Sequence, residues 1–330
     1  MSLKTEFNNP GIGLGCMNLS HAYGTPVSEA DGIKALHAAF EMGYRHFDTA
    51  TLYGGGKNEL LVGKALKALR NDIFLASKCG MAIGEESGKK EINGSPETLR
   101  KQIENSLRRL NTDHIDLYYL HRLDPNTPIE ESVGALAELV KEGKIGAIGL
   151  SEVSADTLQK AHAVHPIAAL QTEYSLWSRN AELAVLEATK ALGVAFVAFS
   201  PVARGFLANG LQDVESLEPK DIRRNMPRFY PENFAENLKL LTPYLEVASK
   251  AGCTPAQLSL AWVKAQGDHI VPIPGTRSIA HMEENLKASE VSLSAEIIAE
   301  LDNLINQNTV TGTRYSPAQQ AEIDTEEFGH

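Results

Sequence analysis

The chain has 330 residues, and 43% of them are hydrophobic, enough for a large core. Its formal net charge of −11 argues against nucleic acid as a general partner and against an anionic membrane surface. Three cysteines, Cys16, Cys79 and Cys253, are too few and too far apart for a disulfide framework or a metal knuckle, which fits a reducing compartment. Residues 1–10 are polar and lack the basic-then-apolar pattern of a signal peptide. No apolar run reaches membrane-spanning length, so a cytoplasmic protein is expected.

Strand-like runs then alternate with amphipathic helices. The predicted strands are 12–16, 45–48, 74–78, 115–120, 147–151, 168–171, 195–200 and 269–272. Ser28 is placed to cap a helix with Ile33, Leu36 and Phe40 on one face and Gly43 past its end. Ser95 and Pro96 open another, with Leu99, Ile103, Leu107 and Leu110 in register. Thr127 and Pro128 precede a third, carrying Val133, Leu136 and Val140 before Gly143. Thr254 and Pro255 start a helix with Leu258 and Trp262. Proline costs no hydrogen bond at the first helical position, because that N–H has no partner within the helix.

Eight such units predict an α/β fold: one closed (β/α)8 TIM barrel over residues 1–330, core about 11–309, tail 310–330. A doubly wound sheet is weakened by the lack of Gly-x-Gly-x-x-Gly after any strand; Gly11, Gly13 and Gly15 lie in or beside the first run. Two segments look irregular. The stretch from 202 to about 237 holds Arg204, Gly205, Arg223, Arg224 and Arg228, and long loops are more often functional than idle. The polar tail either lies over the barrel mouth or is disordered.

Asp48, Tyr53, Lys78 and His121 each fall at or just past the end of a predicted strand. In a barrel that is the active face, where Ser151, Gln171 and Ser200 also converge. Alone, each of the four has an ordinary role: a loop cap, a loop aromatic, a surface lysine, a satisfied polar residue. Together a carboxylate, a phenol, an ammonium and an imidazole suit proton chemistry. The phenol is a useful acid near neutral pH only when neighbouring cations stabilise its anion. His46 and Asp48 could both face inward and, with His121, suggest a metal site. No further histidine or carboxylate cluster completes one, so no metal is expected.

The motifs run in order: Gly13-Leu-Gly-Cys-Met17, Gly43-Tyr-Arg-His-Phe-Asp-Thr-Ala50, Tyr53-Gly-Gly-Gly, Leu75-Ala-Ser-Lys78 and Asp113-His-Ile-Asp-Leu-Tyr-Tyr-Leu-His121. Then follow Gly146-Ala-Ile-Gly-Leu-Ser151, Gln171-Thr-Glu-Tyr-Ser175, Ser200-Pro-Val-Ala-Arg-Gly205 and Pro272-Ile-Pro-Gly-Thr-Arg277, with Glu284 and Asn285. With these, the chain resembles the aldo-keto reductase family over nearly its whole length, in particular its bacterial and plant-type NADPH-dependent reductases. The resemblance implies reduction of aldehydes or ketones, with small dicarbonyls or aromatic aldehydes as substrates. It implies that Tyr53 gives the proton, Lys78 lowers the Tyr53 pKa, Asp48 fixes Lys78 and His121 orients the carbonyl. It further implies Ser151 and Gln171 on the nicotinamide carboxamide, Tyr174 stacked on its ring, and Ser200, Arg204 and Gly205 on the pyrophosphate. Gly275, Thr276, Arg277, His281, Glu284 and Asn285 would hold the adenosine end. Arg277 suits a 2′-phosphate, which favours NADPH over NADH. Met17, His21, Met81 and Trp177 are expected to line the substrate pocket.

The chain departs from the family pattern twice. Glu152 follows Ser151 where many relatives have asparagine, and a glutamate can accept from a carboxamide but not donate to it. The N-terminal segment is short for the β-hairpin that many members use to close the barrel bottom. A second reading keeps the fold and changes the role: an NADPH-binding sensor or regulatory subunit with little turnover. Fold alone does not separate the two.

Overall fold

Apolar runs buried on both faces become the strands. In the computed structural model, which describes residues 11–84 and 86–329, β3 (Phe74–Cys79) is buried throughout and β6 (Ile115–Leu120) nearly so. Such continuous burial marks a parallel sheet covered by helices. The remaining barrel strands are β1 (Leu14–Gly15), β2 (His46–Asp48), β7 (Ile145–Ser151), β8 (Ile167–Glu173), β9 (Ala195–Phe199) and β10 (Ile270–Pro272). They form one sheet in the order β1–β2–β3–β6–β7–β8–β9–β10, parallel at every pairing. Gly13 N donates to the Pro272 carbonyl at 3.0 Å and Gly15 N to that of Pro274 at 3.2 Å. These bonds join the first strand to the last and close the (β/α)8 barrel.

The helices outside it are α1 (Glu29–Met42), α2 (Lys57–Leu66), α3 (Pro96–Leu110), α4 (Ile129–Lys141), α5 (Ala155–Val164) and α6 (Val185–Leu192). After β9 come α7 (Pro231–Leu238), α8 (Leu241–Ala251) and α9 (Pro255–Ala265), and after β10 come α10 (Ile279–Lys287), α11 (Ala295–Leu304) and α12 (Pro317–Gln320). Ser28, Ser95 and Thr254 cap α1, α3 and α9 through their side chains, as predicted. Thr127 does not cap α4. Its hydroxyl donates to Asp124 Oδ2 at 2.9 Å, in a turn that carboxylate also ties to Gly94 and Asn126, and Pro128 takes the cap position.

Several elements were not predicted, among them a hairpin, helix α7 and, in the tail, α12. An antiparallel hairpin, β4 (Met81–Ile83) with β5 (Lys90–Ile92), stands between β3 and α3. Helix α7 lies at the end of the irregular stretch after β9, whose remainder is short 3-10 turns and connecting loop. Strand ends differ by at most two residues, and β6 matches at both ends; β1 pairs only over Leu14–Gly15. The expectations for residues 1–10 lie outside the described residues. No described helix is long and apolar enough to cross a membrane.

The tail lies over the catalytic face. Asn237 exchanges two bonds with Thr311, at 2.9 and 2.8 Å, and Arg228 Nε donates to the Gly312 carbonyl at 3.2 Å. Further on, Asp324 Oδ2 accepts from the Ser154 and Thr157 hydroxyls at 2.8 and 2.6 Å. Glu326 Oε1 accepts from Ala155 N at 2.8 Å. Both carboxylates thus sit at the N-terminus of α5, where the helix dipole favours negative charge.

Candidate active site

The C-terminal ends of the strands surround a cavity of about 750 Å³. Asp48 closes β2, and Lys78 lies two residues past its register partner, Ala76, on β3. Lys78 Nζ is fully buried, pairs with Asp48 Oδ1, and donates to the Thr49 carbonyl at 2.9 Å and the Tyr53 hydroxyl at 3.3 Å. Gln171 Nε2 donates to the other Asp48 oxygen at 2.8 Å. The Tyr53 ring meets His121 edge-on, centroids 5.9 Å apart, and His21 lies nearly parallel to it at 6.2 Å.

A glycine turn places the phenol. Gly54, Gly55 and Gly56 all adopt left-handed φ (59°, 63° and 90°), turning the chain into α2 immediately after Tyr53. Residues with a Cβ adopt that conformation at a cost, so glycine is the natural choice here. Asn58 then anchors the turn. Its side chain accepts from the Thr49 hydroxyl at 2.6 Å and donates to the Cys16 carbonyl and Ser20 hydroxyl, both at 2.9 Å.

Burial raises the Tyr53 pKa above its ordinary value; Lys78 opposes that shift without reversing it. Lys78 thus lowers the Tyr53 pKa as expected, but burial outweighs it, and the site keeps Tyr53 protonated. For Lys78 itself, burial pulls down, but Asp48 and Tyr53 outweigh it, and the ammonium is held charged. Burial, with Arg122 and Lys78 nearby, pushes His121 well below the usual imidazole value. His121 is therefore neutral at physiological pH, while Tyr53 keeps its phenolic proton. Were Tyr53 the acid of a reaction here, activity would hold while it is protonated and fall above its pKa. The pH–kcat profile is expected to show no break near 6.5 and no alkaline fall until above about 10. A fall centred near neutrality would overturn this assignment.

Most predicted residues meet at the cavity. Ser151, Gln171, Ser200, Arg204 and Gly205 line one side, with Met17, His21 and Met81 near Tyr53. Gly275, Thr276, Arg277, His281, Glu284 and Asn285 line the stretch after β10 and the start of α10. Three residues do not line it: Lys78, fully buried behind Tyr53, and two aromatics. Tyr174 is wholly buried, its ring against Phe196 and Trp262 and its hydroxyl donating to Glu182 Oε1 at 2.8 Å. It has no face for a nicotinamide. Trp177 is stacked on Phe206 at 4.2 Å, beneath the loop after β9.

Other predicted residues are present but already engaged. Arg204 Nη2 donates to Glu173 Oε2 at 2.7 Å, so its charge is balanced within the protein. Glu152 is fully buried at φ 57° and accepts from Glu173 N at 2.8 Å. Its second oxygen pairs with Arg314 of the tail, so it does not face the cavity as a carboxamide partner. The residues missed are Phe199, Arg122, Lys90, Tyr315 and Glu322, all on the cavity wall. Phe199 was readable, as the last residue of an apolar run directly before Ser200-Pro201. Tyr315 and Glu322 come from the tail, for which the sequence offers no periodicity.

A closed parallel barrel with this tetrad at its strand ends defines a class. A family model, the aldo/keto reductase family, matches residues 11–306, and the chain belongs to that family. Among individual relatives it is 45% identical to probable aldo-keto reductase 1 of Glycine max over 305 residues, 92% of this chain and 88% of that one. The glycerol dehydrogenase of Gluconobacter oxydans superposes with a TM-score of 0.83 at 28% identity, covering 93% and 94% of the two chains. An aldo/keto reductase from Klebsiella pneumoniae, solved with NADP and acetate, gives 0.71 at 28% identity over 93% and 95%.

Proposed function

We propose that this protein reduces aldehydes or ketones to alcohols with NADPH, Tyr53 delivering the proton. The observation that carries the reading is the chain of contacts Asp48–Lys78–Tyr53, with His121 edge-on, at one end of the cavity. Carbonyl reduction builds negative charge on oxygen. A phenol beside a fixed ammonium can neutralise that charge as it forms. Neutral His121 adds a donor of the kind that orients a carbonyl.

The residues present fit a dinucleotide phosphate. Gly15 and Gly275 meet on the cavity wall: a Cβ on Gly275 would lie 2.5 Å from Asn18 Oδ1 and 3.1 Å from the Gly15 carbonyl, so only glycine fits there. Arg277 is exposed at the cavity rim, anchored only by donating to the Thr25 carbonyl at 2.9 Å, and no described carboxylate pairs with it. The Klebsiella relative's NADP complex supports the same cofactor. Ser151 and Gln171 would hold the nicotinamide carboxamide, Phe199 rather than Tyr174 would face its ring, and Arg277 would take the 2′-phosphate. The bound cofactor supplies the hydride; the protein supplies the proton and the alignment. Small dicarbonyls and aromatic aldehydes are the proposed substrates.

The test is NADPH oxidation, followed by absorbance, with methylglyoxal and 4-nitrobenzaldehyde. Turnover is expected; tight NADPH binding without turnover across a broad carbonyl panel would replace this reading with the sensor. Arg277→Ala is expected to raise KM for NADPH about 10- to 100-fold, the value of losing a charged hydrogen bond, with little change for NADH. Equal effects on both cofactors would remove Arg277 from the 2′-phosphate.

A further inference from the structure

Four arginines line the cavity, and two are neutralised: Arg204 pairs with Glu173 and Arg223 with Asp221. Lys90, on the same wall, pairs with Glu322 of the tail. Two cations are left without a carboxylate among the described residues. Arg277 lies at the end assigned to the cofactor phosphate. Arg122 lies at the other end, directly after His121.

Arg122 is half-buried and incompletely satisfied. Its Nη1 donates to the His121 carbonyl at 2.7 Å and weakly to Ser151 Oγ at 3.4 Å. Its Nε is buried without a partner. A guanidinium in this state has taken the desolvation cost of burial without an opposite charge to offset it. Its fork is the geometry that best matches a carboxylate. It lines the same cavity as Tyr53 and His121, next to His121 in the chain and bonded to its carbonyl. Nothing in the proton chemistry above uses it.

We infer that Arg122 selects substrates, and that the preferred carbonyl compounds carry a carboxylate that pairs with its guanidinium while the carbonyl meets Tyr53. The inference rests on the reductase reading. It narrows the substrate class from aldehydes in general to anionic ones. Arg122 donates and the substrate carboxylate accepts; no bond is made or broken at this residue.

The test compares 4-carboxybenzaldehyde with its neutral ester, methyl 4-formylbenzoate, in the parent, Arg122→Gln and Arg122→Lys. The parent is expected to favour the acid in kcat/KM by roughly 10-fold or more, carried mainly by KM. Arg122→Gln is expected to lose that preference and Arg122→Lys to regain part of it. A merely structural Arg122 would lower both substrates together and leave their ratio alone, which overturns the inference. So would a parent with no preference for the acid. Turnover of neither substrate by the parent would instead count against the reductase reading itself, so the two failures are distinguishable.

Discussion

Tyr53→Phe is expected to lower kcat by about 10²- to 10⁴-fold, the range for a general acid, while NADPH binds as before. The substitution removes one oxygen. It keeps a ring that packs against His121 and His21, so the fold should hold. On the proposed reading the other groups are poorer acids: neutral His121 has an N–H to share but not readily to give up, and Lys78 is committed to Asp48 and the Thr49 carbonyl. The measurement is single-turnover NADPH oxidation alongside a binding titration. If Tyr53→Phe turns over within a few-fold of the parent, the proton comes from elsewhere and the assignment fails.

Arg314→Ala is expected to have the largest effect outside the tetrad. Arg314 and Glu152 are buried, with side-chain exposures of 3% and 0%, and they pair directly. Glu173 lies within 3.8 Å of the same guanidinium and also holds Arg204. Removing Arg314 leaves a buried carboxylate without its cation. Breaking a buried pair from one side typically costs about 3–5 kcal/mol. The protein can recover part of that by releasing the tail and letting water reach Glu152. Two readouts separate the outcomes: the thermal midpoint, and the rate at which a protease cuts after residue 309. Glu152→Gln added to Arg314→Ala should recover much of the loss, since the orphaned charge is gone. If Arg314→Ala unfolds like the parent and its tail is cut no faster, the pair does not hold the tail.

The barrel was legible because its signals are local. Apolar runs, serine and threonine caps, and proline at the first turn each name their element within a few residues. The hairpin of β4 and β5 was missed because its strands are three residues each and one, Lys90–Ile92, is largely exposed. The tetrad was legible because each member sits at a strand end, and the barrel brings strand ends together. Tyr174 and Trp177 misled for one reason. An aromatic after a strand looks alike in sequence whether it faces the cavity or the helix layer, and here both face inward to the core. Glu152 could not be read from its neighbours at all, since its partner lies 162 residues away.

That distance bears on how the protein is made. Bonds from the tail reach back 162, 170 and 171 residues, to Glu152, Ser154 and Ala155. On the ribosome every barrel strand has emerged before the first of these partners exists. Glu152 and the start of α5 therefore wait in water until Arg314, Asp324 and Glu326 have been made. Contacts this far apart in sequence close late, because loop entropy must be met before they form. The site is completed only once the tail has been made and folds back. A chain stalled at residue 309 is expected to show the barrel's circular dichroism with an unfinished cavity wall, and loss of the barrel signal in that chain would show the tail to be needed earlier.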